Sequence, residues 1–146
     1  MPKTAQPDSA SPDLPDRDYQ LLADFRFALR EFLHFSEEAA QGAGLHPQQH
    51  QALLIVRGSR NPDVTVGEIA DRLKVRPNTA VELINRMEAE GLVRKAADPA
   101  DGRRVLIQLT PRSDRLLGKL SAAHKAELAR VGPALKEILT HLKIIP

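Results

Sequence analysis

The sequence predicts a mainly α-helical chain with one small β-hairpin, and three observations carry that prediction. Apolar residues recur at spacings of three and four over residues 19–40, the period of a helix with a covered face. Two short helical segments meet at the corner Lys74-Val75-Arg76, after which Pro77 restarts the helix. Leu92-Val93-Arg94-Lys95 and Val105-Leu106-Ile107-Gln108-Leu109 flank a polar loop, as the strands of a hairpin do. With 146 residues, 42% hydrophobic and 27% charged, the chain has material for one core rather than two. It has no cysteine, which excludes disulfides, thiolate metal sites and thiol nucleophiles. No apolar run approaches the roughly 20 residues that span a bilayer, and the first residues lack the apolar stretch of a signal peptide. The expectation is a cytoplasmic protein with no membrane partner.

Residues 1–16 carry Pro2, Pro7, Pro12 and Pro15 among Ser, Asp and Gln, and read as a flexible N-terminal arm. Residues 17–44 read as a long amphipathic N-terminal helix with Leu22, Phe25 and Leu29 on its stripe, a face that packs within one subunit or also forms a dimer interface. Asp16 or Asp18 would cap its first turn, and Gly42 and Gly44 would end it. All four phenylalanines, Phe25, Phe27, Phe32 and Phe35, lie in this helix, more aromatic surface than one covered face needs.

A second helix opens at Leu45-His46-Pro47, buries Leu53, Leu54 and Val56, and stops at Gly58. Asn61-Pro62-Asp63 is a turn signal. Thr65 and Glu68 stand in capping-box register before a two-turn helix ending at Leu73. The helix from Pro77 turns Ala80, Leu83, Ile84 and Met87 inward and runs to Gly91. After the hairpin, Thr110-Pro111 starts an amphipathic helix through Leu116, Leu117, Leu120, Ala123 and Leu128. Gly132-Pro133 is expected to break it, leaving a last helix with Leu135, Ile138, Leu139 and Leu142 on one apolar face. Leu135, Ile138 and Leu142 would join the dimer interface. The order is that of a winged helix-turn-helix module, residues 45–110, flanked by long dimerisation helices at 17–44 and 111–146.

Charge divides along the chain. Residues 1–56 hold 4 Lys/Arg against 8 Asp/Glu, whereas residues 57–119 hold 13 against 9. A basic middle beside an acidic first part is what a polyanion-binding module needs.

Three runs carry a family resemblance: Thr65-Val66-Gly67-Glu68-Ile69-Ala70-Asp71-Arg72-Leu73; Asn78-Thr79 through Ile84-Asn85-Arg86-Met87-Glu88-Ala89-Glu90-Gly91-Leu92-Val93; and Asp98-Pro99-Ala100-Asp101-Gly102-Arg103-Arg104 followed by Leu109-Thr110-Pro111. In order and spacing they resemble the multiple-antibiotic-resistance regulator (MarR) family. That resemblance implies a homodimer whose terminal helices intertwine and which presents two winged modules to double-stranded DNA. It implies a transcriptional regulator, a repressor acting on a palindromic operator, and not an enzyme.

Docking geometry would turn Arg76, Asn78, Thr79, Val81, Glu82 and Asn85 toward bases and Arg86 toward the backbone. Glu82 departs from the basic or neutral residue common at its position, and its spacing also allows an intrahelical pair with Arg86. Arg103 matches the wing arginine of the family, with Asp101 placed to brace it, and Arg104 is a second phosphate candidate. Lys74, Arg94, Lys95 and Arg112 would be phosphate neighbours. The family also implies a pocket for a small aromatic or phenolic effector, here Phe32, His34, Phe35 and His50. His46 and His50 have metal-ligand spacing but no carboxylate partner, and His124 stands alone, so neither a metal nor a cofactor is expected. The alternative reading is a winged helix used for protein interaction without DNA binding.

Overall fold

The structure, a computed structural model, describes residues 13–146. Most of the expected N-terminal arm therefore lies outside the described residues. Five helices and a two-stranded hairpin follow in order: α1 Asp16–Gly42, α2 Pro47–Gly58, α3 Val66–Leu73, α4 Pro77–Ala89, β1 Val93–Ala97, β2 Val105–Leu109 and α5 Pro111–His141. Mainly helical with one antiparallel hairpin, this is the expected fold class.

The core lies among α2, α3, α4, the hairpin and the first turns of α5. Leu53, Ile69, Ile84, Met87, Leu92 and Ile107 are its largest fully buried apolar side chains. Leu54, expected inside, is exposed; Ala52 and Leu53 take the covered positions of α2 instead.

Three closures set the helix ends. After α1, Gly44 (φ 78°) lets Leu45 N–H donate to Ala40 O at 2.9 Å, which buries Leu45. After α4, Gly91 (φ 72°) does the same for Leu92 N–H and Met87 O, also at 2.9 Å. The corner between α3 and α4 uses Lys74 itself in the left-handed region, and Val75 N–H donates to Ala70 O at 3.1 Å. That tight turn sets the angle at which α4 leaves α3.

Several local expectations are corrected. Pro15, not Asp16 or Asp18, occupies the cap position of α1, and no side chain caps it; both aspartates lie in the first turn, where the helix dipole favours them. Thr65 accepts from Glu68 N–H, but the Glu68 carboxylate turns away and accepts from the Ser59 hydroxyl, so only half of the capping box forms. Gly132-Pro133 does not break the last helix. The helix α5 runs through Pro133 to His141, one rod of 31 residues where two helices were expected.

The hairpin pairs Val93 with Leu109 and Ala97 with Val105. It is anchored twice. Ile107 N–H donates to Val64 O at 2.8 Å, and Thr65 forms an isolated bridge to Leu106 just ahead of α3. At its base, the Thr110 hydroxyl donates to Gly91 O at 2.8 Å while capping α5 through Ser113 N–H. The wing is therefore fixed by a backbone bond to the segment before α3 and by a side-chain bond to the turn after α4, rather than by a loop alone.

The two long helices pack against each other beyond the core. Of α1 only Ala40 is fully buried, and of α5 only Ser113, Leu117 and Leu120. Tyr19, Leu22, Phe27, Leu29 and Leu33 on α1 and Leu128 on α5 stay exposed, Phe27 to 63%.

Candidate nucleic-acid interface and ligand cavity

Packing decides which side of α4 is free. Ala80, Leu83, Ile84 and Met87 are buried, so helical geometry leaves Asn78, Thr79, Val81, Glu82, Asn85 and Arg86 exposed. Arg76 caps the helix through its backbone alone, which keeps its guanidinium out of the cap. Lys74 is exposed at the preceding corner. The N-terminal turns of α4 thus present polar, cationic and one apolar side chain to solvent on one face. The ion pair that spacing allows between Glu82 and Arg86 is not formed among the described residues. Asn85 accepts instead from Lys95, which also pairs with Glu88 at 3.6 Å, so Asn85 and Lys95 tie α4 to β1.

The wing tip is built by two carboxylates. Asp98, only 6% exposed, accepts from Ala100 N–H at 2.9 Å, and its other oxygen lies 3.7 Å from the Arg104 guanidinium. Asp101 accepts from Arg103 N–H at 3.0 Å, so it shapes the turn through the backbone rather than bracing the Arg103 guanidinium. Among the described residues Arg103 makes no ion pair, whereas Arg104 is drawn back toward Asp98. Of the two, Arg103 is the one free to reach outward. The buried Asp98 was not legible as a structural residue, because a carboxylate between Ala97 and Pro99 reads as ordinary loop polarity.

A second feature lies among α1, α2 and α5. A cavity of about 440 Å³ is lined by Phe32, Leu33 and Ser36 of α1, by His50, Gln51 and Leu54 of α2, and by Ser121, His124, Lys125 and Leu128 of α5. Two of the four residues expected there are present, Phe32 and His50. His34 is not: it points to solvent and pairs with Glu38 one turn on, at 3.1 Å. Phe35 does not line the cavity but packs edge-on to His124, ring centroids 5.4 Å apart.

His124, expected to stand alone, is the hub. Its Nδ1 lies 2.6 Å from Leu120 O, its Nε2 lies 2.8 Å from Ser36 Oγ, and its ring centroid is 4.8 Å from that of His50. Burial, and then the neighbouring His124, hold His50 below the ordinary histidine value of 6.5. His46 is elsewhere, capping α2 by accepting from Gln48 N–H, while Gln49 returns the bond to His46 N–H at 3.0 Å.

Helix-corner-helix with an exposed second helix, followed by an anchored hairpin with an arginine at its tip, defines a winged helix-turn-helix protein. Residues 43–104 match the model of the MarR family. Over 55 residues the chain is 38% identical to the uncharacterised HTH-type transcriptional regulator YsmB of Bacillus subtilis (strain 168), a stretch covering 38% of each chain. Over 115 residues it is 25% identical to the HTH-type transcriptional repressor MdtR of the same organism, covering 76% of this chain and 73% of MdtR. Among solved structures, that of the S. aureus MepR–DNA complex superposes with a TM-score of 0.68 at 20% identity, covering 86% of this chain and 91% of MepR. Over the matched residues 43–104 and in its overall fold, the chain is similar to the MarR family of winged-helix regulators.

Proposed function

We propose that the chain is a sequence-specific, double-stranded DNA-binding transcriptional repressor, working as a homodimer on a palindromic operator and released by a small aromatic effector. The observation that carries this reading is the exposed polar and cationic side of α4, followed by a wing whose tip arginine, Arg103, makes no ion pair among the described residues. Arg76, Asn78, Thr79, Val81 and Glu82 would read base edges in the major groove, with Lys74 and Arg86 on flanking phosphates. Arg103 would enter the adjacent minor groove, and Arg104, held by Asp98, would contribute a weaker field. Glu82, free of Arg86, is available to accept from a cytosine amino group.

One such module is too small for high specificity, and two related by a twofold axis would read half-sites about 10 base pairs apart or a multiple of that. Exposed Leu22 and Leu29, with half-buried Phe25, Leu135, Ile138 and Leu142, would supply the isologous contact. The family relatives named regulator and repressor, together with the MepR–DNA complex, support the reading. The cavity lined by Phe32 and His50 would hold the effector, which acts only as far as it favours one spacing of the two modules.

Selection of bound duplexes from a random pool tests this directly. A palindromic motif should emerge, and Arg103→Ala should lower affinity for it several-fold across sequences. A pool with no enriched duplex would return the fold to protein recognition.

A further inference from the structure

We propose that the groove between the end of α1 and the start of α5 receives the acidic start of α1 from a second copy of the chain, a head-to-tail contact that links the proposed dimers to one another. It goes beyond the DNA-binding reading above and uses none of the residues proposed there for the isologous contact.

The groove, about 390 Å³, is lined by Ala43, Arg112, Arg115, Leu116 and Lys119. Its floor is apolar, with Ala43 and Leu116 half-buried against the core, and its rim is three exposed cations. None of the three makes an ion pair among the described residues, and no carboxylate lines the groove. Asp114, the acid between them in sequence, pairs instead with Arg57 at 3.2 Å.

Such a cluster costs the helix that carries it. Arg112, Arg115 and Lys119 stand at spacings of three and four, where like charges repel along a helix. They also occupy the first turns of α5, the end at which the helix dipole favours anions. The C-terminus of α1 returns only about half a unit of negative charge, too little for three cations. A cationic rim over an apolar floor fits an occupant that brings carboxylates around an apolar side chain.

The chain carries such a segment. Asp13-Leu14-Pro15-Asp16-Arg17-Asp18 sets three carboxylates against one cation, with Leu14 exposed between Asp13 and Asp16. Pro15 keeps the backbone extended ahead of α1 (φ −64°, ψ 149°), so Leu14 stands clear of the helix. None of the three aspartates makes an ion pair among the described residues. The segment cannot reach its own groove, because the 27 residues of α1 hold the two about 40 Å apart. The occupant therefore comes from another copy. Donor and acceptor are different surfaces, so the contact is heterologous and propagates from copy to copy.

Sedimentation of the full chain tests this. Species larger than the dimer should form near about 0.01 M salt and dissolve near about 0.15 M, as the screening length shrinks from about 30 to about 8 Å. Arg115→Glu with Lys119→Glu should lower the assembly constant by about tenfold or more, and so should Asp13→Lys with Asp16→Lys. Mixing the two reversed proteins should restore assembly, because each then offers the charge the other lacks. If either variant fails to fold, a peptide of residues 13–18 added to the unaltered chain should dissolve the larger species, and the same peptide with asparagine at its three aspartates should not.

A chain that forms nothing larger than a dimer near about 0.01 M salt overturns the proposal. Assembly lost on reversing the groove but kept on reversing the segment also overturns it, assigning the cations to a different anion. Duplex affinity that falls in the groove variant while sedimentation stays unchanged does the same, assigning them to DNA phosphate.

Discussion

Lys74 closes α3 with φ 58° and ψ 41°, where the Cβ of any L-residue crowds the next carbonyl at a cost of about 1–2 kcal/mol. Glycine occupies the matching position after α1 and α4, at Gly44 and Gly91. Lys74→Gly would relieve the crowding but enlarge the unfolded ensemble, so the net gain is smaller, about 0.5–1 kcal/mol. The variant should show a higher urea midpoint and a weaker operator Kd, since it removes a cation beside the reading helix. A stabilised variant with unchanged DNA affinity would take Lys74 out of the interface. Strain kept at a turn where glycine fits is the pattern expected when the side chain has work outside the fold. Glu82 and Arg86 point the same way: adjacent on one helix and of opposite sign, they leave each other free.

At the scale of elements, starts were legible because they are written in two or three neighbouring residues. Pro47, Pro77 and Thr110-Pro111 each stand where a helix begins. The failed expectation at Gly132-Pro133 has the opposite origin. One proline removes one backbone donor and crowds the carbonyl four residues back, about 3 kcal/mol, but a helix propagates cooperatively from both sides. Leu116, Leu117 and Leu120 hold one end of α5 against α1 and the core, and Leu135, Ile138 and Leu142 continue a half-buried stripe beyond it. Pro133→Ala should therefore stabilise the chain, by up to about 3 kcal/mol, read as a raised thermal midpoint. A lowered midpoint would mean that α5 packs through a distortion the proline creates. The cavity was half legible for a related reason. Phe32 and His50 were placed by period and proximity, but His124 is 74 positions from His50, and only the packing of α5 across α2 brings the two rings together. His34 was misplaced because a histidine at helical spacing looks the same whether it faces a neighbour or, as here, solvent and Glu38.

Among the described residues, α1 and α5 carry exposed Tyr19, Leu22, Phe27, Leu29, Leu33 and Leu128, with Leu22, Leu29 and Leu33 at helical spacing on one side of α1, the kind of apolar face that a partner covers. If a twofold partner covers it, DNA binding and assembly are one measurement. Of the cations that the proposed reading places on the duplex, four make no ion pair among the described residues: Lys74, Arg76 and Arg86 around α4, and Arg103 on the wing. Arg104 and Lys95 count for less because Asp98 and Glu88 already oppose them. A dimer then brings about eight, and each neutralised phosphate releases about 0.9 of a counterion, so log affinity should fall against log salt with a slope of about −7. Leu22→Glu combined with Leu29→Glu places like charges in the proposed interface. It should yield a monomer by sedimentation, with a slope halved to between about −3 and −4. Equal slopes for a verified monomer and the parent chain would show that one module binds alone and that the apolar helices serve something other than DNA recognition. A parent slope near −2 would instead remove most of the four cations from the interface, whatever the assembly state.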